Sequence, residues 1–258
     1  MRRIAKKAFA LLLTLCVTVT GVAANPAGAM AASKKGITGV TEYEKHYYKV
    51  YDSGLSWEDA EKYCNAMGGH LVTITSQGEQ NFVKKLISSH GRNSYWLGAH
   101  ADKKGNWKWV TKEKFSYTNW QAGQPDNYKY ENTLMMYRHV NPMNPNKFGD
   151  WNDLRSNGTC NGETFFGLNN FGFICEWESA AKVKPIQFSK VKIKLTKVSF
   201  KAGKIQMPKV KVTYCGRTLK QGTDYSFNYK FNIRTKSLKI TFKGIGEYKG
   251  SKTVTFKI

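Results

Sequence analysis

Acidic residues are scarce in this 258-residue chain: 18 Asp and Glu stand against 41 Lys and Arg, a formal net charge of +23. Cysteine is scarcer, with 5 in all, and none forms a CxxC pair or a Cys/His cluster that would suggest zinc. No HExxH helix, nucleophile elbow or other catalytic set is present, so no enzyme chemistry is expected. The histidines, His46, His70, His90, His100 and His139, are scattered singly without metal-ligand spacing and read as structural or surface residues. A membrane span needs roughly 20 apolar residues. The longest apolar run, from about Ala8 to Val22, is shorter and is broken by Thr14, Thr18, Thr20 and Gly21.

That run follows Arg2, Arg3, Lys6 and Lys7 and precedes the small residues of Ala27-Gly28-Ala29 and Ala29-Met30-Ala31. The pattern reads as a signal peptide over residues 1–31. A secreted or cell-surface protein, not transmembrane once processed, is expected. Leu15 before Cys16 argues against lipid anchoring, and no sorting signal or hydrophobic tail follows Ile258, so covalent anchoring is not expected. Export would place Cys64, Cys160, Cys175 and Cys215 in an oxidising compartment.

Hydrophobic residues make up 41% and aromatics 14%, enough for real cores. The charge is uneven: residues 182–258 hold 20 Lys and Arg against 2 acidic residues, whereas the stretch between leader and Lys182 is nearly balanced. This shift marks a boundary between a domain over 41–178 and a basic one over 186–258. In the first, Leu55, Ala60, Tyr63, Cys64 and Met67 recur at helical spacing behind an N-cap at Ser56 and stop at Gly68-Gly69. A second helix is predicted from Ser76, with Glu79 at the capping-box position, to His90-Gly91. Short runs at 95–98, 107–110, 133–137 and 171–176 read as strands.

From Pro185 the pattern is strict alternation, as in Lys190-Val191-Lys192-Ile193-Lys194-Leu195 and Leu238-Lys239-Ile240-Thr241-Phe242. Period 2 puts Lys on a wet face and the aliphatics on a buried one, predicting an all-β sandwich. Lysine on strands also discourages edge pairing. The remaining charge suits an anionic partner such as a cell-wall polymer or acidic glycan. Nucleic acid is not expected for an exported chain.

Read in order, Trp57 before a helix carrying Cys64, Gly69-His70-Leu71-Val72-Thr73-Ile74, Trp96-Leu97-Gly98, Gln124-Pro125-Asp126, Glu131-Asn132, Trp151-Asn152-Asp153 and Phe173-Ile174-Cys175-Glu176 form an ordered set. It resembles the C-type lectin-like domain and covers about half of the chain. The C-terminal stretch, with Gly216-Arg217-Thr218-Leu219-Lys220-Gln221-Gly222-Thr223-Asp224-Tyr225 and Gly246-Glu247-Tyr248-Lys249-Gly250, resembles an immunoglobulin-like β repeat of Gram-positive surface proteins, which usually act as spacers or wall-proximal modules. The expected fold is an α+β C-type lectin-like domain followed by a small all-β immunoglobulin-like sandwich.

The resemblance implies a Cys64–Cys175 disulfide, closing a loop that the chain-entropy model values at about 4–5 kcal/mol. The family's second disulfide lacks its first member, since Thr133 stands there. Cys160 and Cys215 are then free, paired across domains or engaged between chains, with two unpaired thiols favoured. The resemblance further implies a Ca²⁺ site from Gln124, Asp126, Glu131, Asn152 and Asp153, whose hard oxygens suit an ion that takes about 6–8 of them. It also implies a cis peptide before Pro125, and a sugar bound by the same five residues. A Gln-Pro-Asp triplet resembles the galactose-preferring version, with Tyr128 or Tyr130 available to face galactose or N-acetylgalactosamine. Trp96, Trp107, Trp109 and Trp120 read as core. The function expected is Ca²⁺-dependent glycan binding by an adhesin; the alternative is an adhesin for a host surface protein, with Ca²⁺ structural or absent.

Overall fold

The computed structural model describes residues 32–34, 37–140, 146–159, 167–196, 199–201 and 204–257. The expected leader and Cys160 lie outside the described residues. No described helix is long and apolar enough to cross a membrane.

The first half contains β1 (Ala32–Lys34), β2 (Ile37–Tyr43), β3 (His46–Tyr51), α1 (Trp57–Ala66), β4 (His70–Leu71), α2 (Gln77–Ile87), β5 (Ser94–Ala101), β6 (Trp107–Trp109), β7 (Thr133–Tyr137), β8 (Trp151–Leu154) and β9 (Phe171–Trp177). Ser56 caps α1 by accepting from Asp59 N at 3.2 Å, and Glu58 and Asp59 sit in the first turn, where the helix dipole favours negative charge. At the other end Gly68 takes φ +83, and a Cβ there would lie 2.2 Å from Lys182 O, so glycine is required both by the turn and by the chain returning across it. Ser76 caps α2 at Glu79 N, 3.1 Å away. The expected reciprocal half of the capping box is absent, because Glu79 turns back to Thr75 N at 2.9 Å and Tyr48 OH at 2.9 Å instead. The helix stops at Ile87, short of His90-Gly91.

The strands form one nine-stranded sheet ordered β1-β2-β3-β9-β5-β7-β8, with β4 added on β9 and β6 on β5. β9 pairs antiparallel with β3, Tyr48 opposite Glu176, and parallel with β5, Tyr95 opposite Gly172. Every residue of β9 is buried. Its alternation sends Phe171, Phe173, Cys175 and Trp177 to the core under α1 and Ile174 to the core under α2. The β2–β3 hairpin and the strand at Trp151 had no clear period in the sequence and emerge only from this pairing.

After β9 come β10 (Ile186–Gln187), β11 (Lys192–Leu195), β12 (Ser199–Lys201), β13 (Lys204–Gln206), β14 (Val210–Tyr214), β15 (Arg217–Thr218), β16 (Tyr225–Asn232), β17 (Ser237–Gly244), β18 (Tyr248–Lys249) and β19 (Ser251–Lys257). This region is sheet-rich, as expected. β11-β14-β15 and β16-β17-β19 are three-stranded antiparallel sheets, while β10 and β18 pair in parallel. The alternation holds: Leu238, Ile240 and Phe242 are buried, and Lys239 and Lys243 are exposed. The strand expected from Lys190 starts at Lys192, since residues 188–190 form a 3-10 turn that buries Phe188.

The two halves share one hydrophobic core, in which Tyr63, Met67 and Trp177 join Val183, Phe188 and Tyr248. At the seam Glu247 is 11% exposed and accepts from four side chains: Lys49 and Tyr51 on β3, Tyr63 on α1, and Arg217 on β15. Arg217 also pairs with Asp224 at 3.2 Å. Burial alone would raise the Glu247 pKa, but the Lys49 ammonium, hydrogen bonds from Lys49 and Tyr63, and the Arg217 guanidinium outweigh it and hold the carboxyl below its ordinary value. The fold therefore gains stability from the ionised carboxylate above the ordinary value of 4.5 and loses it as pH falls through the lower folded one. Glu247→Ala is expected to cost about 3–5 kcal/mol, because Lys49 and Arg217 stay buried without their counter-ion. Urea unfolding at pH 7 and pH 3 checks this: the gap between variant and parent should narrow at pH 3.

Candidate metal and ligand site

Asn152 and Asp153 lie on β8, where Leu134 of β7 pairs with Asp153 and Met135 with Asn152. Beneath them Trp151 is fully buried, its Nε1 donating to Gln80 Oε1 at 3.0 Å. Trp109, Trp120 and Tyr117 pack edge-on against its ring, with centroids 5.9, 5.9 and 5.8 Å away. Trp96 and Trp109 are core, as expected. Trp107 and Trp120 are only half-buried and meet at a 60° tilt, with ring centroids 5.0 Å apart. Trp151 N donates to Asn119 O, and Gln121 N to Trp151 O, which ties the start of the long loop to β8.

That loop carries Gln124-Pro125-Asp126, and the Gln124–Pro125 peptide is cis. It folds over Asp153: Asp126 N and Asn127 N donate to the two carboxylate oxygens at 3.3 and 2.8 Å. Gln124 Oε1 accepts from Asp126 N at 3.1 Å. Asp126, Glu131 and Asp153 then bring one oxygen each within 4.8 Å of one another. Glu131 and Asp153 are buried and Asp126 is exposed. Asn152 Nδ2 donates to Asp153 O at 2.8 Å, leaving Oδ1 buried with no protein partner. Burial raises the Asp153 pKa, and the Asp126 charge adds to this, against the lowering effect of the loop amides.

The five expected residues thus form one neighbourhood. Three carboxylates at this spacing repel, a buried amide oxygen lacks a donor, and every donor atom is a hard oxygen. That set fits a Ca²⁺ ion. At the rim, Tyr130 is 85% exposed, whereas Tyr128 carries the Lys129 ammonium 5.2 Å over its ring.

Cys64 of α1 and Cys175 of β9 are both fully buried in the same core. Thr133, where the family's second disulfide would begin, is buried and donates to Leu154 O at 2.7 Å. The histidines are not all solitary: His46 meets Glu176, His70 meets Glu178, and His90 meets Asp52. Residues 46, 70 and 176–178 are far apart in sequence, so only the pairing of their strands could reveal this.

A family model described as the lectin C-type domain matches residues 53–164. A perlucin-like protein of Mytilus galloprovincialis is 33% identical over 141 residues, covering 53% of this chain and 80% of its own length. The chain belongs to the C-type lectin domain family. C-type lectin domain family 10 member A of Homo sapiens is 42% identical over 91 residues, 34% of this chain and 27% of that one. Asialoglycoprotein receptor 1 of Mus musculus is 39% identical over 89 residues, 34% of this chain and 30% of that one. This C-type lectin thus spans less than a third of those two relatives, and the relatives named are animal proteins. Members of the family are typically carbohydrate-binding proteins, secreted or on cell surfaces, and not enzymes.

The indole under β8 is testable by itself. Trp151→Phe strips Gln80 Oε1 of its donor and removes one ring of a buried indole, and should cost at least about 1–3 kcal/mol in urea unfolding. No measurable change would show that neither the bond nor the indole's packing supports β8.

Proposed function

We propose that the chain is an exported Ca²⁺-dependent carbohydrate-binding protein, an adhesin whose ion and sugar share Gln124, Asp126, Glu131, Asn152 and Asp153. The observation that carries this is the convergence of Asp126, Glu131 and Asp153 beside the unpartnered Asn152 Oδ1. Bound there, Ca²⁺ supplies open coordination positions for vicinal hydroxyls. The residues of this chain do the rest: Asp153 holds the loop amides, Gln124 orients Asp126, and Trp151 keeps β8 in place. Gln124-Pro125-Asp126 favours galactose or N-acetylgalactosamine, and the exposed Tyr130 supports it by offering a ring to a sugar's apolar face. A relative named as an asialoglycoprotein receptor is consistent with a glycan ligand. In the exported protein Cys64 and Cys175 form a disulfide, giving up two electrons and two protons to the thiol oxidants of that compartment.

The reading extends to the C-terminal half as an immunoglobulin-like unit of a Gram-positive surface protein, holding to an anionic wall polymer. Its only two acidic residues, Asp224 and Glu247, face Arg217 and Lys49 at the seam, so neither offsets the surface charge. Lys194 stands directly opposite Lys211, and Lys230 opposite Lys239, on exposed faces. Like charges so paired are destabilising without a counter-ion, and a polyanion supplies one.

A glycan array probed with the chain lacking residues 1–31 tests the lectin reading. Binding to galactose-terminated glycans in Ca²⁺ should vanish in EDTA and in Asp126→Ala/Asn152→Ala. No binding by folded protein in Ca²⁺ sinks the reading and points to a protein receptor. Thiol titration of the unfolded secreted protein should find Cys64 and Cys175 unreactive until reductant is added.

A further inference from the structure

A second cluster sits on β3, β4 and β9, apart from the loop site. In the sheet register Tyr48 and His70 both lie opposite Glu176. With a two-residue period His46 shares the face of Tyr48, and Glu178 follows directly on the end of β9. Four side chains converge as a result. His46 Nδ1 lies 2.7 Å from Glu176 Oε1 and His46 Nε2 3.8 Å from Glu178 Oε2. His70 Nε2 lies 2.9 Å from Glu178 Oε1 and His70 Nδ1 3.9 Å from Glu176 Oε2. His46, Glu176 and Glu178 bring one donor atom each within 4.8 Å of one another.

Two of these groups are already fixed by a bond to their other atom. His70 Nδ1 is 2.9 Å from the Leu71 carbonyl, which can only accept, so the ring hydrogen is on Nδ1. Its Nε2 faces Glu178 Oε1 at 2.9 Å. Glu176 is anchored through Oε2, which accepts from Thr73 N at 2.9 Å and Thr73 Oγ1 at 3.3 Å, and this leaves Oε1 for the cluster.

Zn²⁺ bound tetrahedrally at about 2.0–2.1 Å sets its donors about 3.3 Å apart, and His46, Glu176 and Glu178 each offer a donor within 4.8 Å of the others. Imidazole suits Zn²⁺, whereas Ca²⁺ takes oxygen almost alone. We propose that His46, Glu176 and Glu178 form a Zn²⁺ site that staples β3 to β9, with His70 Nε2 holding Glu178 in place from β4. It is independent of the loop site in both ligands and chemistry.

The test is Zn²⁺ titration calorimetry on untagged, chelator-stripped chain lacking residues 1–31, with millimolar Ca²⁺ throughout so that any hard-oxygen site is filled. One equivalent should bind and raise the melting temperature. His46→Gln and His70→Gln should each weaken binding by about 10–100-fold, with folding checked by circular dichroism. Asp126→Ala should leave Zn²⁺ binding unchanged even if it abolishes glycan binding, which separates this proposal from the preceding one. Absence of Zn²⁺ binding by the folded parent overturns the proposal. So does undiminished binding by a His46→Gln/His70→Gln double variant.

Discussion

Strand β9 is the constraint on which the remainder of the lectin domain rests. It is reached only after more than a hundred residues of intervening chain, yet it pairs with β3, β4 and β5 at once and is buried on both faces. Closing so long a loop costs entropy that grows slowly with length. The return comes from Phe171, Phe173, Cys175 and Trp177 on one side and Ile174 on the other, each fully buried and worth about 1.5–3 kcal/mol for a large side chain. Phe173 stacks on Tyr51 at 4.8 Å and meets Tyr63 edge-on at 5.7 Å, so β9, β3 and α1 meet in one aromatic contact.

From that strand outward, rigidity passes to the site through β5 and β7 to β8. The loop bearing Gln124 and Asp126 has no regular structure. It is held by backbone amides on Asp153 and by backbone hydrogen bonds from Trp151 N to Asn119 O and from Gln121 N to Trp151 O. Binding residues on a loop over a stiff support is a common division of labour. Here the stiff part is β8 on its cluster of indole rings, which carries Asp153, and the loop adds Asp126 and Glu131.

The seam with the C-terminal half uses a different interaction. A single carboxylate, Glu247, is surrounded by Lys49, Tyr51, Tyr63 and Arg217, three of them from the lectin half. A buried ion pair adds little net stability but is costly to break, so it favours one relative placement of the halves. A continuous apolar core beside it makes the C-terminal half part of one packed body.

Local signals in the sequence already determined much. Ser56 and Ser76 mark the helix starts because capping is a contact three residues long, and the Lys/aliphatic alternation marks β11, β14, β17 and β19 because strand period is local too. The order of motifs carried the lectin fold, and the types of Gln124, Asp126, Glu131, Asn152 and Asp153 carried the candidate site. Tertiary structure alone decided which distant residues share a face. β3 and β4 align His46 and His70 on Glu176 and Glu178, so histidines that look solitary along the chain become a cluster. Glu247, one of two acids in a basic stretch, becomes the junction because Lys49, Tyr63 and Arg217 reach it from three elements. Such pairings depend on register and chain closure, and both are set by burial summed over the whole fold.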